Sequence, residues 1–215
     1  MGVFNKYKYW LGYVLNVGLI SFLLICINKL VSYTFIWRFK SCKSFTAMGL
    51  GRICGWDAIS IYTLSVGSRY RIEALFNFNG EKYNPILKIG NGVSFGNDLH
   101  IGCVNSILIG DGVLGGSGVT IMDHDHGIYH LSSQNQSAPT SIPSFRSLSH
   151  SPIIIEDNVY VGERVIILQG VTIGAGSIIG AGSVVTKSIP EKTIAVGVPA
   201  KPIKVFKQNK WIAIE

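Results

Sequence analysis

The sequence is poor in cysteine, and its cysteines form no pattern. The 215 residues include four, at Cys26, Cys42, Cys54 and Cys103, and none of them is in a CxxC spacing. Small secreted proteins that depend on disulfides space their cysteines densely and regularly, so a disulfide scaffold is not expected. This usage favours reduced thiols in a cytosolic setting.

Charged residues are also few, and acidic ones are the scarcer kind. They make up 14% of the chain, and 19 lysines and arginines against 12 acidic residues leave a formal net charge of +7. Either the basic C-terminal end is solvated, or some of its lysines meet an anionic partner such as the phosphates of a coenzyme. Nucleic acid is not expected as that partner, because no base-stacking module or binding helix accompanies the lysines. The basic residues of this end are Lys187, Lys192, Lys201, Lys204, Lys207 and Lys210.

Long apolar runs are absent apart from one near the N-terminus. Residues Leu11 to Ile27 form an uncharged apolar run of about 17 residues, the lower limit for spanning a bilayer. No small-x-small cleavage site follows, which argues against a cleaved signal peptide. The run is either a membrane-embedded or interfacial anchor, or a helix packed on the rest of the protein. Basic residues after the run favour keeping the remaining chain in the cytoplasm, at the inner face of the membrane.

The strongest regularity in the chain is a period of six residues, and hydrophobic residues at 47% supply enough material for a core. A helix repeats its apolar face near 3.6 residues and a half-buried strand near 2, so this period predicts a coil whose flat sides each contribute inward side chains. An ordinary glycine-rich sandwich is the alternative. The aliphatic positions are Ile155, Val161, Ile167, Ile173, Ile179 and Val185. Small or β-branched companions stand at Val159, Val165, Val171, Ser177 and Ser183.

The same period is present earlier, at Ile89, Phe95 and Ile101. It slips by two residues and resumes at Ile109 and Ile121, with Gly115 where an aliphatic residue is expected. A weaker trace runs through residues 59–72, interrupted by a polar aromatic stretch at 76–85. These repeats predict four or five stacked coils, each burying the apolar face of its neighbour.

Three segments resemble the hexapeptide-repeat acyltransferases: the repeats themselves, IMDHDHG at residues 121–127, and GAGSVVTKSIPEKTIAVGVPAKPIK at 180–204. The resemblance implies an all-β solenoid, a left-handed parallel β-helix with triangular coils, assembled as a homotrimer. The hand comes from the resemblance alone, because general rules for parallel strands favour right-handed crossovers. The expected organisation is an N-terminal hydrophobic helical segment at 1–45, a β-helix at 46–204 with a loop excursion at 123–152, and a tail at 205–215.

Polar residues concentrate at the root of the excursion, where Asp123, His124, Asp125 and His126 follow the last coil residue. Such a cluster suits proton transfer, a metal site or a hydrogen-bonded corner. A neutral imidazole, with an ordinary pKa near ~6.5, can take a proton from a hydroxyl if a partner fixes its tautomer. The resemblance implies that His124 is the base, oriented by Asp123 or Asp125. A purely structural histidine, or His126 as the base, are the alternatives.

The resemblance also implies the donor, which is acetyl-CoA, with direct transfer to a hydroxyl and no metal. Tyr160 departs from the tryptophan often found at its position in the family, and Glu163 departs from a small polar residue. For Thr186 the alternative is an ordinary coil residue. The expected coenzyme contacts are Ala181, Thr186, Lys187, Lys204, Tyr160 and Glu163.

Asn97, Asp98, His100 and Asn105 lie on the coil before His124 and could reach the same groove, where polar side chains suit a sugar. The expected acceptor-binding residues are Asn97, Asp98 and His126. The alternative for the first two is that they satisfy backbone groups at a corner. The resemblance implies an O-acetyltransferase acting on a sugar or lipid-linked glycan of a surface polysaccharide, such as O-antigen, capsule or exopolysaccharide.

Three other functions stay open. The first is N-acetylation of an amino sugar by the same base and donor. The second is a catalytically inert β-helix that organises a glycan assembly complex at the membrane. The third is a γ-type carbonic anhydrase-like metalloenzyme that would use three histidines as ligands. Its candidate ligands are His100, His124, His126 and His130.

Overall fold

A computed structural model describes residues 36–129, 133 and 135–214, together with Leu23, Cys26 and Ile27. The apolar run predicted to form an N-terminal helical segment, Leu11 to Ile27, lies almost wholly outside these residues. Among the helices that are described, none is long and apolar enough to cross a membrane.

The chain winds into a parallel β-helix whose coils have three sides. A six-stranded parallel sheet forms one side, here called the third face, and a 13-stranded sheet folds around the other two. The strand Ile59–Val66 shows this folding, because residues 59–61 pair with Ile86–Ile89 on the first face and residues 64–66 pair with Val93–Phe95 on the second. Each coil supplies one strand to the six-stranded sheet, so the described chain has six coils rather than the four or five expected.

The described strands and short helices follow one another closely along the chain. Three 3-10 helices cover Ile36–Arg38, Trp56–Ala58 and Pro143–Phe145. The third face is built, in order, from the strands that begin at Arg52, Arg71, His100, Thr120, Ile166 and Val184. The strands are β1 (Ser41–Ala47), β2 (Arg52–Cys54), β3 (Ile59–Val66), β4 (Arg71–Ala74), β5 (Asn77–Phe78), β6 (Glu81–Lys82), β7 (Ile86–Ile89), β8 (Val93–Phe95), β9 (His100–Cys103), β10 (Ser106–Ile109), β11 (Leu114–Gly115), β12 (Thr120–Met122), β13 (His124–His126), β14 (Leu148–His150), β15 (Ile153–Ile155), β16 (Tyr160–Val161), β17 (Ile166–Ile167), β18 (Thr172–Ile173), β19 (Ile178–Ile179), β20 (Val184–Val185), β21 (Thr193–Gly197), β22 (Ala200–Lys207) and β23 (Lys210–Ala213).

The six-residue period marks the core as predicted. All six aliphatic positions from Ile155 to Val185 are at most 1% exposed, and their small companions are equally buried. Two of those companions are serines, and each hydroxyl donates a hydrogen bond to a backbone carbonyl. Ser177 donates to Pro190 O at 2.7 Å and Ser183 to Gly180 O at 2.7 Å. Burying an isoleucine side chain contributes about 1.5–3 kcal/mol, so stacked inward columns account for much of the stability of the coils.

Two glycine positions explain irregularities in the repeat. At Gly115, where an aliphatic side chain was expected, a Cβ atom would collide with the ring of Phe95 in the coil below, which fills that space. Gly176 has a φ of +67°, as expected for a sharp corner that avoids a Cβ.

Strands are present on either side of residues 46–204, the range expected for the β-helix. β1 begins at Ser41 and pairs in parallel with β3, although its residues show no six-residue period. At the other end, β22 and β23 form an antiparallel layer with β21, so residues 205–213 belong to strands rather than to a tail. The antiparallel strands pair with the last coil, whose edge would otherwise present free N–H and C=O groups.

Candidate functional site

The long excursion leaves and rejoins the β-helix at the corner between the third and first faces. The coil strands stop at Met122 and resume at Ile153. Directly inside these ends, β13 and β14 form an antiparallel pair that sets His124 opposite His150. The backbone N–H of Ser151 donates to the carbonyl of Asp123 at 3.0 Å and closes the root. His124 and Asp125 therefore lie on a paired strand, and Asp123 directly precedes it.

Asp123 is fully buried and acts as the centre of this root. Its carboxylate accepts the backbone N–H of Val104 at 2.9 Å and that of Asn105 at 2.8 Å, both from the corner of the preceding coil. The same carboxylate lies 3.0 Å from Nδ1 of His124. Because the carboxylate accepts hydrogen bonds, this contact assigns the imidazole proton to Nδ1 and leaves a lone pair on Nε2.

The His124 ring is 6% exposed and lies over Gly102 of the preceding coil. A Cβ atom at Gly102 would lie 3.1 Å from Cε1 of His124 and 2.6 Å from Sδ of Met122. Among the described residues, Nε2 of His124 has no hydrogen-bond partner. The missing side chain at position 102 thus makes room for an imidazole whose basic nitrogen is uncommitted.

The other two polar residues of the root have different surroundings. The Asp125 carboxylate accepts a hydrogen bond of 2.9 Å from Nε2 of Gln169, which also donates to Ser149 Oγ at 3.1 Å. The exposed ring of His126 packs edge-on against Phe78, with centroids 5.0 Å apart. The structure therefore brings Asp123 to His124, and it pairs Asp125 with the next coil instead.

A small hairpin, β5 with β6, packs against the excursion from the same corner two coils earlier. Nδ2 of Asn79 donates to the carbonyl of Ser144 at 2.6 Å, and the Ser147 hydroxyl donates to Glu81. The Tyr83 ring lies edge-on to His150, with centroids 5.7 Å apart. Partial burial and a hydrogen bond to Glu81 raise the pKa of Tyr83 to about 12. The two insertions thus form one wall beside His124 and His126.

Two of the expected acceptor residues lie at a different corner. Oδ1 of Asn97 accepts the backbone N–H of Ser68 at 2.8 Å, and Asp98 holds Arg69 in a two-pronged ion pair of 2.6 and 2.7 Å. The hydrogen bonds from Arg69 hold the pKa of Asp98 below its ordinary range. At about 3.3 Å per residue along β9, Asp98 lies roughly 13 Å from Gly102. Asn97 and Asp98 therefore bind neighbouring groups at their own corner, which is the alternative given for them above. Of the three expected acceptor residues, His126 is the one that lies beside His124.

The expected coenzyme residues are spread around the last coils. Tyr160 is 43% exposed on the second face. Glu163 and Ala181 stack at the corner between the second and third faces, where Gly182 N–H donates to Glu163 O at 2.8 Å. Thr186 and Lys187 follow β20 at the far end of the third face, and Lys204 lies on β22 opposite Ile194. All six side chains are exposed, but one chain does not gather them around a single groove.

Several site features were not predicted from the sequence. No sequence motif identifies Gly102, Gln169 or the backbone N–H groups of residues 104 and 105. The one sequence feature near them is the slip of the six-residue period at 107–109, which marks the corner that Asp123 bridges. In the described part of the chain, no group of three or more His, Cys, Asp or Glu side chains could hold a metal ion. His130 lies outside the described residues.

Residues 152–187 match the family model described as bacterial transferase hexapeptide (six repeats). Over 124 residues the chain is 42% identical to WbbJ of Escherichia coli (strain K12), named for lipopolysaccharide biosynthesis O-acetyl transfer; the match covers 54% of this chain and 63% of WbbJ. Over 123 residues it is 38% identical to the galactoside O-acetyltransferase of the same organism, covering 52% and 56% of the two chains. The chain thus spans less than two thirds of either relative.

Among solved structures, a hexapeptide-repeat acetyltransferase of Vibrio cholerae O1 biovar eltor, VCA0836 in complex with acetyl coenzyme A, has a TM-score of 0.55. It is 23% identical, and the match covers 87% of this chain and 86% of that one. At this identity the likeness concerns the fold, and it supports the left-handed parallel β-helix. The predicted resemblance to hexapeptide-repeat proteins is confirmed.

Proposed function

For a chain whose coils carry the bacterial transferase hexapeptide repeat, we propose O-acetyl transfer from acetyl-CoA to a sugar hydroxyl, with His124 as general base. The observation that carries the proposal is the Asp123 to His124 contact of 3.0 Å, made by a buried carboxylate that two backbone N–H groups hold in place. The names of WbbJ and of the galactoside O-acetyltransferase support the reaction and a glycan acceptor.

His124 supplies the proton transfer in this reaction. Nε2 takes the proton of the acceptor hydroxyl while the oxygen attacks the thioester carbonyl, forming a tetrahedral intermediate. Collapse of the intermediate breaks the carbon–sulfur bond, and the departing thiolate recovers the proton from the imidazolium. Asp123 keeps the ring in the Nδ1–H tautomer and stabilises the imidazolium, as the carboxylate of a catalytic triad does.

The donor site needs more than one copy of the chain. The exposed side chains of Tyr160 on the second face and of Thr186 at the end of the third face do not share a groove within one chain. A homotrimer in which the second face of one subunit meets the third face of the next would bring such residues together. Lysines of β22, among them Lys204, have no carboxylate partner in the described chain and suit the coenzyme phosphates.

The acceptor side is the wall formed by the β5 and β6 hairpin and the excursion. Rings of Phe78, His126 and Tyr83 and the polar groups between them are the mixed surface that a sugar requires. The acceptor we propose belongs to a surface polysaccharide or its lipid-linked precursor, met at the inner face of the membrane. Transfer to the nitrogen of an amino sugar would use the same base and donor, and the choice between them is experimental.

The proposal is tested by release of free CoA thiol from acetyl-CoA by the purified full chain, with glycan extracts and membranes as acceptors. Acceptor-dependent release should fall by about 10²–10⁴-fold in His124→Ala, the range for removal of a general base. His126→Ala is the matched control, because its ring lies on the same strand and packs on Phe78; it should retain turnover at a raised acceptor KM. Full turnover in His124→Ala, with loss in His126→Ala, would transfer the role to His126.

A further inference from the structure

Two arginines and one glutamate form a cationic cluster on the third face. Arg52 of β2 stands opposite Arg71 of β4 in the sheet, and both guanidinium groups bind the Glu73 carboxylate, Arg71 Nη2 at 2.8 Å from Oε2. The Glu73 side chain is 9% exposed, whereas those of Arg52 and Arg71 are 63% and 52% exposed. One carboxylate for two guanidinium groups leaves one positive charge uncompensated at the surface of the single chain.

His100 of β9 completes the cluster. Its Nε2 atom lies 3.5 Å from Glu73 Oε2, and it is buried without a hydrogen-bond partner in the described chain. Burial and the neighbouring Arg71 charge lower the pKa of His100 more than Glu73 raises it. Burial alone would raise the pKa of Glu73, but the hydrogen bonds from Arg52 and Arg71 outweigh it and hold that pKa below the ordinary value. These shifts favour the ionised form of Glu73 and the neutral form of His100.

The cluster lies next to the proposed base. In the third face Glu73 stands opposite Gly102, and the His124 ring covers Gly102. Neighbouring parallel strands are about 4.8 Å apart, so the guanidinium groups lie within roughly 10 Å of the imidazole. That distance is about the length of one hexose with its first phosphate.

We propose that Arg52 and Arg71 form a phosphate subsite and that the acceptor is a sugar carried on a phosphate or diphosphate. The inference rests on the proposed function and narrows its substrate class: the acetylated hydroxyl belongs to the sugar attached directly to the phosphate. Each arginine donates a hydrogen bond to Glu73 from one nitrogen of its guanidinium group. The remaining N–H groups of each guanidinium suit phosphate oxygens. Arg69 is outside the subsite, because Asp98 occupies its guanidinium.

Occupation of the subsite changes the state of His100. Phosphate bound to the remaining N–H groups of Arg71 offsets the guanidinium charge, which is one cause of the lowered pKa of His100. The added negative charge favours the protonated imidazole and raises the pKa of His100. The His100 ring therefore reports binding without any acetyl transfer.

The first test is titration of the full chain with inorganic pyrophosphate, followed by NMR of isotope-labelled histidine rings. The chain has five histidines, so the His100 signals can be assigned by substitution. We expect a saturable shift and an upward pKa change at His100. Arg52→Gln and Arg71→Gln should each weaken pyrophosphate binding by about tenfold or more, the size of one charge-assisted hydrogen bond. Arg69→Gln, which also breaks an exposed ion pair, should stay within about twofold.

Absence of a saturable response in the unsubstituted chain, or an equal loss of affinity in Arg69→Gln, would overturn the subsite. A second arm compares acetyl transfer to a sugar 1-phosphate and to the methyl glycoside of the same sugar. Equal rates would overturn the phosphate-linked acceptor while the proposed function stands. Pyrophosphate binding without transfer to any acceptor would refute the proposed function and leave the subsite. The phosphate of the acceptor could belong to a nucleotide or to a lipid carrier. Comparing acetyl transfer to nucleotide-linked and to lipid diphosphate-linked forms of the same sugar distinguishes these two sources.

Discussion

At the scale of single residues, the site depends on one buried carboxylate with two tasks. Asp123 holds the corner of the preceding coil through the N–H groups of Val104 and Asn105, and it orients His124. The resemblance to hexapeptide-repeat acyltransferases predicted His124 as base, with Asp123 or Asp125 to orient it. It could not choose between the two carboxylates, since the choice depends on which coil each one faces.

Asp123→Asn should separate these two tasks. The asparagine side chain has one acceptor oxygen and one NH2 donor in place of two acceptor oxygens. Its NH2 group must therefore face either Nδ1–H of His124 or the backbone N–H groups, and the Nδ1–H tautomer is no longer favoured. We expect kcat for thiol release to fall by roughly two orders of magnitude. Asp123→Ala should in addition lower the free energy of unfolding by about 1–3 kcal/mol for each N–H left without an acceptor. An unchanged kcat in Asp123→Asn would contradict the orienting role.

Gly102→Ala should reduce activity more than stability. The added Cβ meets the movable end of Met122 and the edge of the His124 ring, so the ring shifts while the core stays intact. We expect kcat to fall by about tenfold, with a Tm within a few degrees of the parent. Gly115→Ala is the control, because its Cβ collides with the Phe95 ring in the core and overpacking of this kind costs about 1–3 kcal/mol. Equal Tm losses in Gly102→Ala and Gly115→Ala would contradict the expectation that the first disturbs the His124 ring and the second disturbs the core.

At the scale of elements, the coils could be read from the sequence and the insertions could not. Each inward side chain repeats after six residues because each flat side of a coil buries its own residues, so the period survives without tertiary information. The first coils were undercounted because β1 shows no six-residue period and β3, which runs continuously over two faces, shows only a weak trace of it. The contact between the hairpin at 77–82 and the excursion joins segments far apart in the chain, which no local pattern encodes.

Tyr83 tests the junction between hairpin and excursion. Its folded pKa of about 12 lies above the ordinary value near 10, so its hydroxyl stabilises the fold fully below pH ~10 and loses that contribution as the pH rises towards 12. Since the side chain is only partly buried, we expect a difference of about 0.5–1 kcal/mol between the parent and Tyr83→Phe near pH 8. Urea unfolding at pH 8 and pH 11 should show this difference shrinking. A difference independent of pH would refute the contribution of the hydroxyl.

At the scale of the whole molecule, an exposed apolar column on the second face supports the homotrimer. Leu114 is 51% exposed and stands opposite Tyr160, which in turn stands opposite Ile178. Contiguous apolar surface of this kind marks interaction sites. The resemblance to hexapeptide-repeat acyltransferases predicted the trimer, and the exposed column is the reason for placing the second face in its proposed interface.

Leu114→Glu should dissociate the trimer, because it introduces a charge into the proposed interface. Light scattering after size exclusion should show a shift from trimer to monomer, with loss of acceptor-dependent thiol release. Ile86→Glu is the matched control, since Ile86 is 44% exposed on the first face, outside the proposed interface. A trimer that persists in Leu114→Glu, or one that Ile86→Glu disrupts equally, would contradict this arrangement.

The fate of a labelled acetyl group tests O-acetyl transfer by His124. The purified chain is incubated with [13C]acetyl-CoA and a glycan acceptor, and the label is located by mass spectrometry before and after mild alkali, which cleaves esters and leaves amides. We expect an alkali-labile acetyl ester on the sugar that is absent with His124→Ala. Label in an alkali-stable amide, or an equal yield with His124→Ala, would contradict it.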